Sequence, residues 1–583
     1  MTSNPPLPAP LLAPGLKFSG TVAHLIAQAL QRHGVEVVFG QSLPSMLHLA
    51  CEQAGIRQLA YRTENAGGYM ADAHARLTLR PSIVTAQNGP AATLLVAPLA
   101  EALKASVPLI ALVQDVNRAD TDRNAFQDLD HLQLFAGCAK WIRRVTEASR
   151  VEDYVDQAFV AACSGRPGPV VLLLPADLLQ EAAPPAQRRA NLGRFPLDRP
   201  VAAPDALRQA ATLLAGARAP LVIAGGGVHL SGAHDALAAL QEAAHLPVAT
   251  TVMGKGAVDE LHPLSIGVVG YFMGRNGATR HHRELVTQAD VVLLVGTRTN
   301  QNGTDSWKLY PRGATYIHLD ADPTEVGRNY EALRLVGDAR ETLAALTREL
   351  AAADLSVRAG QRTALQGRIA GARDAHRREA QAVVGSAAVP VRPERVMQEL
   401  DRVLTPDSLV VSDASYSSVW TSNYLTSRRA GMRFLTPRGL AGLGWGFPMA
   451  LGAKVARPDA EVFCVAGDGG FGHVWSELET AARGGLRVTL IVLNNGILGF
   501  QKHAENVKYG AHTTAVDFAP VDHAAIARAC GCDGIRVTHP DELAPALQQA
   551  RRSAVTTLID VVCDPNAFPP LTFFTPDVVA APA

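Results

Sequence analysis

Short apolar runs alternate with stretches of helical periodicity along most of the chain. Residues 23–33 have an amphipathic helical pattern, and apolar runs predict strands at residues 35–39, 82–86, 109–113 and 170–174. A second region predicts strands at residues 220–224, 248–252, 291–295 and 316–319. Strands that alternate with helices are typical of parallel sheets covered by helices. The pattern therefore predicts an α/β fold.

Changes in composition divide the chain further. Residues 1–18 are rich in proline and predict a disordered tail, and a stretch rich in proline, alanine and arginine predicts a linker before residue 200. Residues 351–389 are rich in alanine, arginine and glutamine and predict a helical linker. We therefore predict three doubly wound parallel-sheet domains, at residues 19–183, 200–350 and 390–570.

Composition narrows the class of protein. The 583 residues include 54 basic and 54 acidic side chains without long runs of either sign, so no nucleic acid or anionic membrane is expected as a partner. The seven cysteines are scattered without metal-binding spacing and favour a reducing compartment. The chain shows neither a signal-peptide pattern nor an apolar stretch long enough to span a membrane. We therefore expect a cytoplasmic protein.

The third region contains a candidate metal site. Asp468 follows one apolar run and Asn495 follows the next, with a helix predicted between them at residues 474–483. A crossover of this kind brings the ends of two parallel strands together. Mg²⁺ prefers oxygen ligands, which Asp468, Asn495 and the carbonyl of Ile497 can supply. Neighbouring glycines allow a diphosphate to approach the backbone, with further N–H donors from a helix beginning near His473: Gly467, Gly469 and Gly470.

A lone Gly-Asp-Gly is usually an ordinary turn, but here it resembles the cofactor signature of thiamine-diphosphate-dependent enzymes. The whole chain resembles the acetolactate (acetohydroxyacid) synthase branch of that family. Glu64 stands where the family has the glutamate that contacts the pyrimidine of the cofactor, and Asp72 and Arg76 match the pattern that follows it. The resemblance implies a pyrimidine-binding first domain, a central domain and a diphosphate-binding third domain, with thiamine diphosphate and Mg²⁺ as cofactors.

The resemblance also implies further site residues in the first domain. Gln41 and Pro44 lie in the loop expected to face the reactive end of the cofactor, and Gln87 and Asn88 occupy a turn whose family sequence differs. These two polar residues suggest a different substrate. Matches to the family's Ala-Phe-Gln-Glu and Thr-Lys-His motifs imply a catalytic glutamine and two residues of the substrate pocket: Gln127, Phe126 and Lys140.

In the third domain, Leu443 matches the apolar residue that wedges between the two rings of the cofactor. Ser415 and Ser417 lie where the family contacts the diphosphate. The remaining matches imply two more cofactor contacts and two walls of the substrate pocket: Gly442, Leu498, Phe500 and Gln501.

The middle domain resembles the FAD-binding domain of the synthases. Glycine turns at strand ends suit a nucleotide diphosphate, and the residues that match are Gly225, Gly226, Gly227, Thr251, Met253, Arg298, Asp320 and Asp338. The resemblance therefore leaves three states of this domain open: it binds FAD, binds another nucleotide or is empty, as occurs among members of the family. Asn302 replaces an arginine that helps the synthases receive the carboxylate of the acceptor, and losing that cation weakens carboxylate recognition.

The resemblance implies an enzyme that decarboxylates a 2-oxo acid and transfers the acyl-anion equivalent to a carbonyl acceptor, which is a keto acid, an aldehyde or a ketone. It implies a homodimer or homotetramer, with Glu64 of one chain facing Asp468, Asn495 and Leu443 of another. Three alternatives remain open. These are a non-ligating decarboxylase or a lyase of 2-hydroxy ketones or 2-hydroxyacyl thioesters, an FAD-linked oxidase, and a catalytically inactive subunit.

Overall fold

The computed structural model describes residues 20–574, and the predicted fold class is confirmed. Within that range the chain forms three parallel six-stranded sheets, each covered by helices. We call them the first, middle and third units. The tail predicted at residues 1–18, and the first residue of the predicted first domain, lie outside the described residues.

The first unit has the strand order β2-β1-β3-β4-β6-β5. Its four central strands are almost entirely buried, as expected for a sheet with helices on both faces, and the edge strands β2 and β5 are partly exposed. The strands are β1 Val37–Phe39, β2 Arg57–Leu59, β3 Ser82–Ala86, β4 Leu109–Asp115, β5 Trp141–Arg144 and β6 Val170–Pro175. The helices are α1 Val22–Arg32, α2 Ser45–Gln53, α3 Glu64–Thr78, α4 Pro90–Leu94, α5 Val96–Ala105, α6 His131–Phe135 and α7 Val151–Cys163.

The middle unit has the strand order β12-β11-β10-β7-β8-β9, in which the direction of winding reverses between β7 and β10. The strands are β7 Pro220–Ala224, β8 Val248–Thr250, β9 Ser265–Val268, β10 Val291–Val295, β11 Thr315–Asp320 and β12 Ala332–Val336. The helices are α8 Pro204–Gly216, α9 Gly227–Ser231, α10 His234–Ala243, α11 Arg283–Thr287 and α12 Ala339–Ala351.

The predicted helical linker is a single long helix, α13, which spans Ser356–Val384. The helix also packs against the middle unit, because Arg373 donates hydrogen bonds to the carbonyls of Glu260, His262 and Ser265 at the edge of the middle sheet. The helix thereby covers this edge and leads the chain to the third unit.

The third unit has the strand order β14-β13-β15-β16-β18-β17. The strands are β13 Leu409–Ser412, β14 Arg433–Leu435, β15 Val462–Gly467, β16 Thr489–Asn494, β17 Asp533–Val537 and β18 Thr557–Val562. The helices are α14 Pro393–Val403, α15 Tyr416–Tyr424, α16 Gly446–Ala456, α17 Asp468–Phe471, α18 Glu477–Gly484, α19 Gly499–Tyr509, α20 His523–Ala529 and α21 Leu543–Arg552.

The predicted start of the helix between the two halves of the metal motif is wrong. A short helix, α17, begins at Asp468 itself, and the longer helix α18 begins at Glu477, not near His473. The glycines after Asp468 already have helical geometry, which the apolar pattern does not reveal. N–H donors near the motif therefore come from α17 and its turn.

The first and third units are joined by the contact between α3 and α16. A Cβ atom on Gly452 of α16 would lie 2.0 Å from the carbonyl oxygen of Met70 of α3, so only glycine permits this approach. Beside it, the rings of Tyr69 and Trp445 stack with centroids 4.3 Å apart. One hydrophobic core continues across both units.

No helix within residues 20–574 is both long enough and apolar enough to cross a membrane.

We expect Gly452→Ala to lower the midpoint of thermal unfolding, because overpacking a close helix contact costs about 1–3 kcal/mol. Gly367→Ala is the matched control: it lies inside α13, and its added Cβ meets no heavy atom within 4 Å. The control should be neutral or stabilising by about 0.5–1 kcal/mol, because alanine is the better helix former. Equal midpoints for the two variants would contradict the close contact.

Candidate active site

The metal motif lies where two paired strands end. β15 and β16 are parallel, with Gly467 opposite Leu493. Asp468 follows the first strand and Asn495 follows the second, and the N–H of Gly496 donates a hydrogen bond of 2.7 Å to Asp468 Oδ2. The two halves of the motif therefore meet at one edge of the sheet, as their spacing predicts.

The Asp468 carboxylate is buried without a compensating positive charge. It accepts hydrogen bonds from the N–H groups of Gly469 (3.0 Å) and Gly496 (2.7 Å). No cationic side chain in the described part of the chain pairs with it. Burial raises its pKa to about 6, although the two backbone N–H groups oppose the shift. A divalent cation would supply the missing charge, so Mg²⁺ fits the residues present.

The two adjacent asparagines differ in what their side chains do. Asn494 is buried and donates to the carbonyl of Val521 (3.0 Å) and to the carboxylate of Asp560 (2.9 Å), so its amide belongs to the fold. Asn495 Oδ1 accepts the N–H of Ile497 at 3.2 Å and keeps a second lone pair. Asn495 is therefore the asparagine that can serve as a metal ligand.

The loop that carries Leu443 is held by Asp413, for which the sequence predicts no role. The buried carboxylate of Asp413 accepts N–H groups from Gly444 (2.9 Å), Trp445 (3.1 Å) and Gly446 (3.1 Å) at the start of α16. A Cβ on Gly470 would lie 2.1 Å from the same carboxylate. One aspartate thus sets both the Leu443 loop and the glycine turn. Its only sequence signal is its place after a strand, which is common in simple turns.

These segments line one large cavity of about 1300 Å³. It brings together most of the predicted third-unit residues and one from the middle unit: Asn302, Ser415, Ser417, Leu443, Gly467, Asp468, Gly469, Gly470, Asn495, Ile497, Leu498, Phe500 and Gln501. Gly442 is not in the lining. It lies against Trp445, whose ring would be 2.1 Å from a Cβ at that position.

The same cavity is also lined by residues that the sequence did not suggest. The ring of Tyr271 is parallel to that of Phe573, with centroids 6.0 Å apart. Arg438 donates to the Tyr271 hydroxyl (2.9 Å) and to the carbonyl of Ser415 (3.2 Å). Tyr416, beside Ser415, shares a hydrogen bond of 2.8 Å with His503. These residues come from separate segments, so no local pattern could have connected them.

The predicted first-unit residues do not line this cavity, whose described walls come only from the middle and third units. Except for Lys140, which directly precedes β5, they lie in segments that follow the carboxyl ends of strands of the first sheet. Gln41 donates to the carbonyls of Tyr61 and Arg62, just before Glu64. Glu64 begins α3 and is half-buried.

A second group at this edge surrounds the turn after β3. Gln87 follows the strand directly, and Asn88 donates to the carbonyl of Gln127 at 3.0 Å. The N–H of Gly89 donates to Nε2 of the buried His131 at 2.9 Å, which fixes the turn from behind. The structure therefore places Asn88 and Gln127 together, as expected for one site.

The other predicted residues of this unit have contrasting surroundings. Pro44 is buried at the start of α2. Phe126 is 83% exposed, which is unusual for a large apolar side chain. The ammonium of Lys140 donates to the carbonyls of Ser164 (2.8 Å) and Arg166 (2.9 Å), near the end of α7. The ammonium group of Lys140 is therefore already hydrogen-bonded within the first unit.

A second cavity, of about 360 Å³, lies at the reversal between β7 and β10 of the middle unit, and residues 104–106 and 165–167 of the first unit also line it. Ligands of open α/β sheets bind at such reversals. It is lined by most of the residues predicted for FAD: Gly226, Gly227, Thr251, Met253, Arg298, Asp320 and Asp338. Gly225 lies behind the lining, where a Cβ would be 2.3 Å from the carbonyl of Gly296. Asp338 already binds Arg199 and Ser231 and caps α12.

Glycine turns, an uncompensated carboxylate and an amide oxygen with one unused lone pair, all at the ends of parallel strands, are suited to a diphosphate cofactor with a metal ion. Comparison with protein families gives three matches along the chain. Residues 20–134 match the thiamine pyrophosphate enzyme N-terminal TPP binding domain, residues 207–346 the central domain, and residues 413–561 the C-terminal TPP binding domain.

Whole-chain relatives agree with these matches. A probable acetolactate synthase large subunit of Methanocaldococcus jannaschii is 31% identical, over 93% of this chain and 92% of the relative. The acetolactate synthase large subunit of Parasynechococcus marenigrum is 33% identical, over 93% of this chain and 87% of the relative. The chain belongs to the thiamine pyrophosphate enzyme family, in its acetolactate synthase-like branch. Thiamine diphosphate is accordingly its cofactor.

We expect the metal-free protein to gain stability relative to Asp468→Asn as the pH falls from about 8 to about 5. Burial raises the pKa of Asp468 to about 6. The folded protein therefore binds a proton more tightly than the unfolded chain, and its penalty for the charged carboxylate disappears as the pH falls through that value. Between pH 8 and pH 5 the difference should change by about 1.4 kcal/mol, because pH 5 lies about one unit below that pKa. Thermal unfolding of both proteins across this range measures it, and parallel pH profiles would refute the buried charge.

Proposed function

We propose that this chain is a thiamine-diphosphate- and Mg²⁺-dependent carboligase. It decarboxylates a 2-oxo acid and transfers the acyl-anion equivalent to a carbonyl acceptor. The observation that carries the proposal is the buried, uncompensated Asp468 carboxylate beside Asn495 in the same cavity as Leu443. The acetolactate synthase relatives favour carboligation over simple decarboxylation, lyase activity, flavin-linked oxidation or an inactive subunit.

In this proposal, Mg²⁺ is held by Asp468, the amide oxygen of Asn495 and the carbonyl oxygen of Ile497. The hydroxyls of Ser415 and Ser417 donate to the diphosphate, and the Gly469 and Gly470 turn lets it approach the backbone. When bound, the cofactor supplies the nucleophilic carbon and the electron sink for decarboxylation.

The remaining residues orient the cofactor and exclude water from the substrate. Leu443 lines the cavity with an apolar side chain, on a loop fixed by Asp413. The carboxyl group of Glu64 would exchange a proton with the pyrimidine ring of the cofactor and so act as a positioned acid or base. The aromatic wall of Tyr271, Phe500 and Phe573 excludes water from the substrate. Asn302 faces the substrate with a neutral amide, so the acceptor is recognised by hydrogen bonds, not by that position's charge.

We propose a homodimer or homotetramer in which Glu64 and the other first-unit residues complete the cavity of a neighbouring chain. The described cavity walls lack these residues. The first unit also exposes a group of large apolar side chains near Gln127, with Phe126 at 83%, Leu129 at 41% and Leu132 at 39%. Apolar side chains grouped on a surface are typical of protein interfaces.

We further propose that the middle cavity binds FAD, with the diphosphate at Gly226 and Gly227 and the cation Arg298 nearby.

We propose a cytoplasmic location for the protein. All seven cysteines are free thiols, which suits a reducing cytoplasm.

The direct test is incubation of the protein, thiamine diphosphate and Mg²⁺ with a panel of 2-oxo acids, with and without a second 2-oxo acid, aldehyde or ketone. Products are identified by mass spectrometry. A ligated product together with CO₂ supports the proposal. Release of the free aldehyde alone, whatever the acceptor, would replace carboligation with simple decarboxylation. No reaction of any donor would refute both.

We expect Glu64→Gln to lower kcat by about 100-fold or more, because it removes a positioned acid-base group. The affinity for thiamine diphosphate, measured by calorimetry, should change little. Glu52→Gln is the control, since Glu52 is an exposed residue on α2 of the same unit. Near-normal turnover of Glu64→Gln would exclude this role.

We expect the purified protein to carry a flavin that is visible by absorbance, or to take one up when FAD is added. Gly226→Leu adds bulk to the cavity lining and should abolish the uptake. Gly313→Leu is the control, because a Cβ at that position meets no heavy atom within 4 Å. A colourless protein that takes up no FAD would rule out the flavin.

A further inference from the structure

Two buried glutamates occupy equivalent places in the first and third units. Glu101 lies on α5, which connects β3 to β4, and Glu477 begins α18, which connects β15 to β16. Because both sheets have the same strand order, these helices are counterparts. Both residues are 0% exposed, so their environment requires strong partners.

Glu101 reaches from the first unit to the loop that carries Leu443. Its carboxylate accepts the N–H of Gly439 at 2.8 Å and the N–H of Leu440 at 2.6 Å. A Cβ on Gly439 would lie 2.9 Å from the carboxyl carbon, so the loop is tightly fitted to this side chain. Arg76 of α3 assists by donating to the carbonyl of Thr436 at 3.2 Å. The first unit therefore grips the loop just before Leu443.

Glu477 makes the reverse contact. Its carboxylate accepts the N–H of Arg62 at 3.1 Å and the N–H of Thr63 at 3.2 Å, and the Thr480 hydroxyl donates to it at 2.7 Å. Thr63 is the residue before α3, whose first residue is Glu64. The third unit therefore grips the backbone just before Glu64.

We propose that Glu101 and Glu477 are reciprocal positioning residues of the cofactor site. Each glutamate fixes the segment of the opposite unit that carries a cofactor contact: Glu101 sets Leu443 and Glu477 sets Glu64. Hydrogen bonds from N–H groups to a carboxylate are about twice as strong as neutral ones, which makes such a contact rigid. The inference rests on the proposed function, because it takes Leu443 and Glu64 as cofactor contacts.

The two glutamates act on different halves of the site, so their loss should have different effects. Glutamine keeps the size of the side chain but offers one acceptor oxygen, and its amide hydrogens face a backbone N–H. Glu101→Gln should therefore loosen the Leu443 loop and weaken cofactor binding. Glu477→Gln should displace Glu64 and slow turnover, because misplacing a catalytic group by about 1 Å costs on the order of 100-fold.

The matched control is Glu152→Gln. Glu152 is a mostly buried glutamate of α7 whose carboxylate also accepts two backbone N–H groups, from Gln187 (2.7 Å) and Arg188 (3.3 Å). Those groups lie outside the cofactor-binding segments. A purely structural effect would lower the unfolding midpoint in all three variants without separating affinity from turnover.

The experiment measures the affinity for thiamine diphosphate with Mg²⁺ by calorimetry, kcat with a 2-oxo acid that the wild type uses, and the unfolding midpoint. We expect Glu101→Gln to weaken cofactor affinity by about tenfold or more. We expect Glu477→Gln to keep that affinity within about threefold while kcat falls by about tenfold or more. Glu152→Gln should change neither. Amide hydrogen exchange should rise around residues 439–440 only in Glu101→Gln, and around residues 62–63 only in Glu477→Gln.

Affinity and kcat like those of Glu152→Gln in both variants would overturn the proposal. A wild type that binds no thiamine diphosphate would count against the proposed function instead, so the two failures are distinct. If either glutamine variant does not fold, Glu101→Asp and Thr480→Val replace it. Glu101→Asp keeps the negative charge and shortens the side chain. Thr480→Val leaves the charge of Glu477 in place and removes one hydrogen bond to it. Unchanged affinity in the first and unchanged kcat in the second would also overturn the proposal.

Discussion

The close crossing of α3 and α16 is the contact on which the rest of the molecule depends. At Gly452 the two helix backbones meet, and a side chain there would collide with the carbonyl of Met70. The surrounding core contains residues of both units, so the first and third sheets form one packed body although the middle unit separates them in sequence. Each helix begins near a predicted cofactor contact, Glu64 in one unit and Leu443 in the other. Packing of the helices therefore also fixes the two predicted contacts relative to each other.

Parallel strands explain where the cavities lie. The carboxyl ends of neighbouring strands share an edge, and winding that reverses between two strands leaves a gap there. The large cavity opens where β13 and β15 diverge, and the smaller cavity opens between β7 and β10. Both contain glycine turns for the same reason, since bulk at those turns would collide with a neighbouring loop. Gln301 and Asn302 line the large cavity, and Asn300 and Gly303 line the smaller one, so one segment connects them.

The sequence predicted the central strands well, because fully buried strands such as β3, β7 and β10 are continuous apolar runs with clear ends. It missed edge strands such as β2, whose sequence Arg57-Gln58-Leu59 is partly exposed and mostly polar. In the site, Asp468 and Asn495 could be paired by their spacing along one crossover. Asp413, Glu101 and Glu477 could not, because a single carboxylate on a helix or after a strand resembles a surface charge until its distant N–H partners are known.

The shared strand order of the first and third units bears on their evolutionary origin. Two sheets with the same connections, and a glutamate on the same crossover helix of each, are the pattern that duplication of one ancestral gene segment leaves behind. An ancestor that paired with its own copy would have needed only one such glutamate, because the symmetry of the pair makes both contacts at once. After fusion, the two copies were free to diverge, so one could acquire the acid-base role proposed for Glu64 and the other the metal-binding role proposed for Asp468.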